Sequence, residues 1–161
     1  MKSSYVVKII EPVLAYVFIA LFIYAAGSKW LEFDNFRAQV GQSPLLTAWG
    51  GIVVILIPVL EIIIALALGI PRFRLWGLYG FYLMMVMFSA YVFIISNYEE
   101  YVPCSCGGII SEMGWSDHFR FNLLFVGLAI LAILIHPKQK FLTTGMSEAG
   151  KETNNVELQL I

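Results

Sequence analysis

Trp49-Gly50-Gly51-Ile52-Val53-Val54-Ile55-Leu56-Ile57-Pro58-Val59-Leu60-Glu61-Ile62-Ile63-Ile64-Ala65-Leu66-Ala67-Leu68-Gly69-Ile70 carries one charged side chain in its whole length. A helix needs about 20 apolar residues to cross the hydrocarbon core of a bilayer, so this run reads as a transmembrane segment. Residues 6–27, 75–96 and 115–135 have the same character. The chain is 60% hydrophobic and 13% charged, against about 45–50% apolar and roughly 25% charged in a soluble domain. These values argue against a soluble globular protein. The net charge of −1 and the lack of a basic stripe argue against a nucleic-acid partner. The expected fold is all-α, a bundle of four transmembrane helices in a lipid bilayer.

The first span reads as a retained helix. Its apolar run outlasts the 7–15 residues of a signal-peptide core, and Gly27-Ser28-Lys29-Trp30 makes a poor cleavage site. Basic residues near span ends favour the cytoplasmic side. Lys2, Lys8, Arg72, Arg74, Lys138, Lys140 and Lys151 fall on one side, and only Lys29, Arg37 and Arg120 on the other. Both termini are therefore expected inside, with loops 28–48 and 97–114 outside. Residues 1–140 form the membrane domain in this reading, and the polar stretch 141–161 a flexible cytoplasmic tail.

In the first outer loop, Trp30, Phe33, Phe36 and Val40 recur at helical spacing. They predict a short amphipathic helix at the outer interface, its aromatic face toward the membrane.

The two cysteines, Cys104 and Cys106, lie in the second outer loop, in Pro103-Cys104-Ser105-Cys106-Gly107-Gly108. An oxidising compartment favours pairing. Pairing at i,i+2 closes a very small ring, and departures from ordinary disulfide geometry store strain that eases reduction. Strained, exposed disulfides are the exchangeable kind. A structural role gains little, since the bond closes almost no loop. A zinc site is the weakest reading, because two thiolates with His118 leave it one ligand short.

His118 and Asn122 share one face at the start of the fourth span with Trp115. A protonated His or a helix N-terminus beside a thiol raises its thiolate fraction, which makes His118 a candidate catalytic group beside Cys104 and Cys106. An interfacial His bonded to a loop carbonyl explains the same residue. Asn122 suits either a ligand pocket or a tie between helices.

Glu61 lies about 18 Å below the outer end of its helix at 1.5 Å per residue, too deep to touch the cysteines. A carboxylate at that depth usually faces the bundle interior with a partner, and Pro58 frees a carbonyl one turn earlier. Glu61 can serve as a structural donor, a proton relay or the wall of a site for a lipid-soluble ligand such as a quinone. Tyr79, Tyr82, Tyr91, Phe93, Met84, Met85 and Met87 suit lipid contact and packing, and equally the walls of such a site.

Four motifs resemble the MauE/DoxX family of bacterial four-helix membrane proteins, and the MauE branch in particular. They are Ala26-Gly27-Ser28-Lys29-Trp30-Leu31 with Phe36, Ile57-Pro58-Val59-Leu60-Glu61, Cys104-Ser105-Cys106-Gly107-Gly108, and Arg120-Phe121-Asn122. The resemblance covers residues 8–136. Ser105 stands where the family has Gly, and Gly107-Gly108 where Phe-Gly is common. The resemblance implies an inner-membrane location with the CxC loop in the periplasm. It also implies a role in maturing a disulfide-rich dehydrogenase of methylamine utilisation, and the wider family adds quinone-linked redox work.

These readings lead to a membrane thiol–disulfide redox protein whose Cys104 and Cys106 exchange a disulfide with a thioredoxin-like protein or client. Glu61 and Asn122 would line the cofactor site, with a quinone as the candidate cofactor and no metal. The alternative is a non-catalytic membrane subunit that anchors a larger complex. A solute transporter using Glu61 is weaker, since four short spans enclose little cavity.

Overall fold

The computed structural model describes residues 2–42, 49–98 and 114–136, with side-chain burial from residue 9 onward except at Tyr98 and Trp115. Cys104, Cys106 and the tail lie outside the described residues. Five helices follow in order: α1 (Lys2–Leu31), α2 (Phe33–Gln42), α3 (Gly50–Gly69), α4 (Arg74–Tyr98) and α5 (Trp115–Ile135). No strand occurs among the described residues. Four helices contain stretches long and apolar enough to cross a membrane: Ile9–Leu31, Gly50–Gly69, Arg74–Asn97 and Ser116–Ile135.

Each long helix is apolar around most of its circumference, so amphipathicity does not set its orientation. A narrow buried stripe does. On α1 the buried residues are Glu11, Ala15, Phe18, Phe22, Ala26 and Lys29, and on α3 they are Val54, Pro58, Glu61, Ala65 and Leu68. On α5 they are His118, Asn122, Ala129 and Ala132, with half-buried Phe125 in the same register. Successive buried residues are three or four positions apart, the spacing that holds one seam against neighbouring helices. The outward faces present Ile, Leu and Val to the surroundings, as lipid-facing surfaces do.

α1 packs most extensively on α3 and α4 on α5; α3 meets α4 across the middle, while α1 and α5 touch less. The α3–α4 connection is tight. Ile70 N–H donates to Leu66 O at 3.2 Å, Phe73 N–H to Ile70 O at 2.9 Å, and Arg74 Nε to Leu68 O at 3.2 Å. A Cβ on Gly77 would lie 2.7 Å from the Leu68 backbone nitrogen, so glycine permits this close helix approach.

The central layer is aromatic. The Phe18 and Phe81 rings stack at 4.1 Å with 13° between planes, and Phe22 lies 4.5 Å from Phe81. Phe125 meets Phe18 edge-on at 6.1 Å. Such offset and edge contacts add stabilisation beyond area burial.

Below this layer, Glu11 joins the ends of the helices. Its carboxylate receives Arg74 Nη1 at 3.4 Å and meets His136 Nδ1 at 3.0 Å, and its side chain is 4% exposed. Arg74 also reaches the last turn of α3 through Leu68 O. One carboxylate thus links α1, the start of α4 and the residue that ends α5. Nothing local in the sequence marks this cluster, since Glu11, Arg74 and His136 lie far apart along the chain.

α2 differs from the expected interfacial helix in how its apolar residues are divided. Phe36 and Val40 are buried against Val54 of α3, whereas Phe33 is exposed and Trp30 belongs to α1. Half of the stripe therefore packs on the bundle. α1 also runs on to Leu31, so Lys29 is a helix residue and not part of a loop beginning at 28.

Candidate functional site

Lys29 sits in the last turn of α1. Lysine side chains on a helix lean toward its N-terminus, so this ammonium turns back along the bundle. It donates to Ala25 O at 3.2 Å and to both carboxylate oxygens of Glu61, at 2.8 and 3.2 Å. The two carboxylate oxygens lie in nearly the same direction from Nζ and share its donation, while Ala25 O receives another N–H. The Glu61 side chain has no exposed surface and that of Lys29 is 11% exposed. The ammonium also lies 5.8 Å from the Phe88 ring centroid, within the range of a cation–π contact.

Breaking such a buried pair costs far more than the pair contributes to stability, because the remaining charge is left without compensation. The partner that Glu61 required was present in the sequence but was assigned to the outer loop. Three signals pointed to it: a basic side chain in a helix's last turn, the absence of a helix breaker between Gly27 and Leu31, and the expense of an unpaired carboxylate in a span.

The pair forms one wall of a cavity of about 70 Å³. Leu21, Phe22, Ala25 and Lys29 come from α1 and Glu61 from α3. Met85, Phe88, Tyr91 and Val92 come from α4, and His118 and Asn122 from α5. The cavity therefore lies on the seam between the α1–α3 pair and the α4–α5 pair. The volume exceeds what a single water requires.

Three of the residues singled out from the sequence meet here: Glu61, His118 and Asn122. His118 occupies the first turn of α5, where its backbone N–H and that of Asp117 both donate to Gly114 O, at 2.9 and 3.0 Å. Its ring is buried in the cavity wall, 8% exposed. Asn122, one turn deeper, is 3% exposed, and among the described residues its Nδ2 finds no hydrogen-bond acceptor. Asp117 and Arg120 pair at 3.2 Å on the exposed side of the same turn, where such a contact contributes little.

The aromatic and sulfur side chains divide. Tyr91 and Met85 line the cavity, Met84 is buried in the core, and Tyr79, Phe93 and Met87 are exposed. Phe88, Phe22 and Ala25 complete the walls without having been singled out. Their types are common throughout the spans, so only the packing distinguishes them.

The cavity and the Glu11 cluster occupy opposite ends of one stripe. Eighteen residues separate Glu11 from Lys29 on α1, roughly 27 Å at 1.5 Å per residue, close to the thickness of a hydrocarbon core. Phe18, Phe22, Phe81 and Phe125 fill the space between them. The cavity lies at the end where α4 stops at Tyr98 and α5 starts at Trp115, the two residues that flank the segment holding Cys104 and Cys106.

Four long apolar helices mark the chain as a multi-pass membrane protein. No curated protein and no solved structure matches the chain. The family model described as methylamine utilisation protein MauE matches residues 6–135, which take in every cavity residue and all four spans. The chain belongs to the MauE family.

Proposed function

We propose that this protein is a membrane thiol–disulfide redox factor serving methylamine utilisation, with Cys104 and Cys106 as the exchanging pair. The observation that carries this reading is the position of the polar cavity. His118 and the Lys29–Glu61 pair lie within the bundle end from which the cysteine segment departs. Cys104 follows Tyr98 by six residues and Cys106 precedes Gly114 by eight. At about 3.3–3.6 Å per residue, each thiol is tethered within roughly 20–30 Å of that end. With both termini inside, the segment faces the periplasm of a bacterial inner membrane. The charge distribution supports this orientation: once Lys29 is taken into the bundle, Arg37 and Arg120 alone remain on that side.

The exchange is a two-electron reaction. A thiolate of the reduced client, or of a thioredoxin-like carrier, attacks one sulfur of the Cys104–Cys106 disulfide. A mixed disulfide forms and the other cysteine leaves as a thiolate. The client's second thiolate then displaces the bound cysteine, so the client gains a disulfide and Cys104 and Cys106 become a dithiol. Restoring the disulfide sends two electrons and two protons to a membrane-soluble quinone, which leaves as the quinol. His118, in the first turn of α5, is our candidate for the group that favours the thiolate.

Cys104→Ser and Cys106→Ser variants test this reading. One of the two should accumulate a mixed disulfide with a periplasmic partner, released by reductant. If neither traps a partner and the double variant supports full dehydrogenase maturation in cells, the thiol role is lost. A stoichiometric complex that survives both substitutions would then indicate an anchoring subunit.

A further inference from the structure

We propose that the cavity between the two helix pairs binds the carbonyl-bearing head of an uncharged, membrane-soluble molecule, with Asn122 Nδ2 donating the orienting hydrogen bond. Only the choice of a quinone as one source of that carbonyl rests on the proposed function. The binding site itself stands on the following geometry.

Asn122 presents a buried amide nitrogen with no acceptor among the described residues. A buried donor left without an acceptor is destabilising, and an apolar residue of similar volume at this position would avoid that cost. Asn122 lines the cavity, and a turn of its side-chain amide brings the enclosed Nδ2 to that space, where a ligand or water supplies the missing acceptor.

The other polar groups define what the ligand is. The Lys29 ammonium is already compensated by the Glu61 carboxylate and also donates to Ala25 O. An anionic ligand would have to displace Glu61, and a cationic one would have to displace Lys29. An uncharged acceptor disturbs neither. Phe22, Phe88 and Tyr91 offer ring surfaces to a flat group. At about 70 Å³ the cavity takes one carbonyl-bearing ring edge or ester group, with the remainder of the molecule outside.

The chemistry is shared by two sources, a quinone ring and the ester of a glycerolipid, and the experiment separates them. Protein carrying Cys104→Ser and Cys106→Ser, which removes thiol chemistry, is reconstituted in nanodiscs and titrated calorimetrically with a short-chain ubiquinone and with a short-chain diacylglycerol. Saturable binding of either ligand supports the site and names its source. Asn122→Leu should weaken that binding by about tenfold and leave the ligand-free melting temperature unchanged or higher.

Three results overturn the proposal. Neither ligand binds, which leaves water as the occupant. Binding is the same in Asn122→Leu. Or Asn122→Leu melts lower without ligand, which gives the amide a partner within the fold. Binding that persists while no mixed disulfide is ever trapped retains this site and removes the proposed function. Trapping without binding does the reverse.

Discussion

Lys29 and Glu61, thirty-two residues apart in the chain, meet with Nζ 2.8 Å from Oε1, and the carboxylate is wholly enclosed. The pair joins α1 to α3 and supplies the charged wall of the cavity between the helix pairs. Each partner explains the other. A lone carboxylate at this depth is expensive, and Lys29 has a route into the bundle because its side chain leans back along α1.

Removing either member alone should therefore be severe. Lys29→Met or Glu61→Leu leaves one uncompensated buried charge and should cost about 3–5 kcal/mol. The double variant should regain most of that loss, because an apolar pair of similar volume can replace a buried ion pair. Apparent melting temperatures of the four proteins in one detergent form the cycle. Additive losses would show that the two side chains are not coupled.

The Glu11 cluster makes a separate prediction. Glu11→Leu removes the acceptor shared by Arg74 and His136, and hydrogen bonds to charged groups contribute about 1.5–3 kcal/mol. Arg74 also holds the α3–α4 turn through Leu68 O. Glu11→Leu should accordingly speed tryptic cleavage after exposed Arg72, measured by limited proteolysis in detergent. Unchanged cleavage would mean that the turn is held by its backbone bonds alone.

Two glycines on α4 should differ in their tolerance. A Cβ on Gly77 meets backbone at 2.7 Å, so Gly77→Ala must push α3 and α4 apart. At Gly80 the nearest atom is the Ile64 Cγ1, 3.1 Å away, and a side chain can shift by a few tenths of an ångström. Gly77→Ala should lower the melting temperature clearly more than Gly80→Ala. Equal effects would indicate that the helix approach at Gly77 is easily relaxed.

The four spans were legible because the bilayer imposes a simple demand on the sequence, a long run of apolar residues, and residues 49–70 meet it with one charge. The way the helices face one another was much less legible. In a helix apolar all round, the buried stripe differs little in composition from the lipid face: Phe18 is buried while Ile23 is exposed, and both are simply hydrophobic. Glu61 could be identified as needing a partner, because burial of a charge has a large cost. The partner was missed because span one was closed at Gly27, two residues before Lys29, whereas α1 continues to Leu31. His118 and Asn122 were legible as a shared helix face from their spacing. Their meeting with Glu61 depends on the packing of α1, α3 and α5, which no local spacing records. Glu11, Arg74 and His136 come together for the same reason, from three separate span ends.

The most direct measurement is the redox state of Cys104 and Cys106 in native membranes, read by a mass-tagged maleimide. The account predicts that both thiols resist the label at first, accept it after brief exposure to a dithiol, and become resistant again when a short-chain quinone is added. Thiols that label from the start, or that stay labelled after the quinone is added, would contradict it.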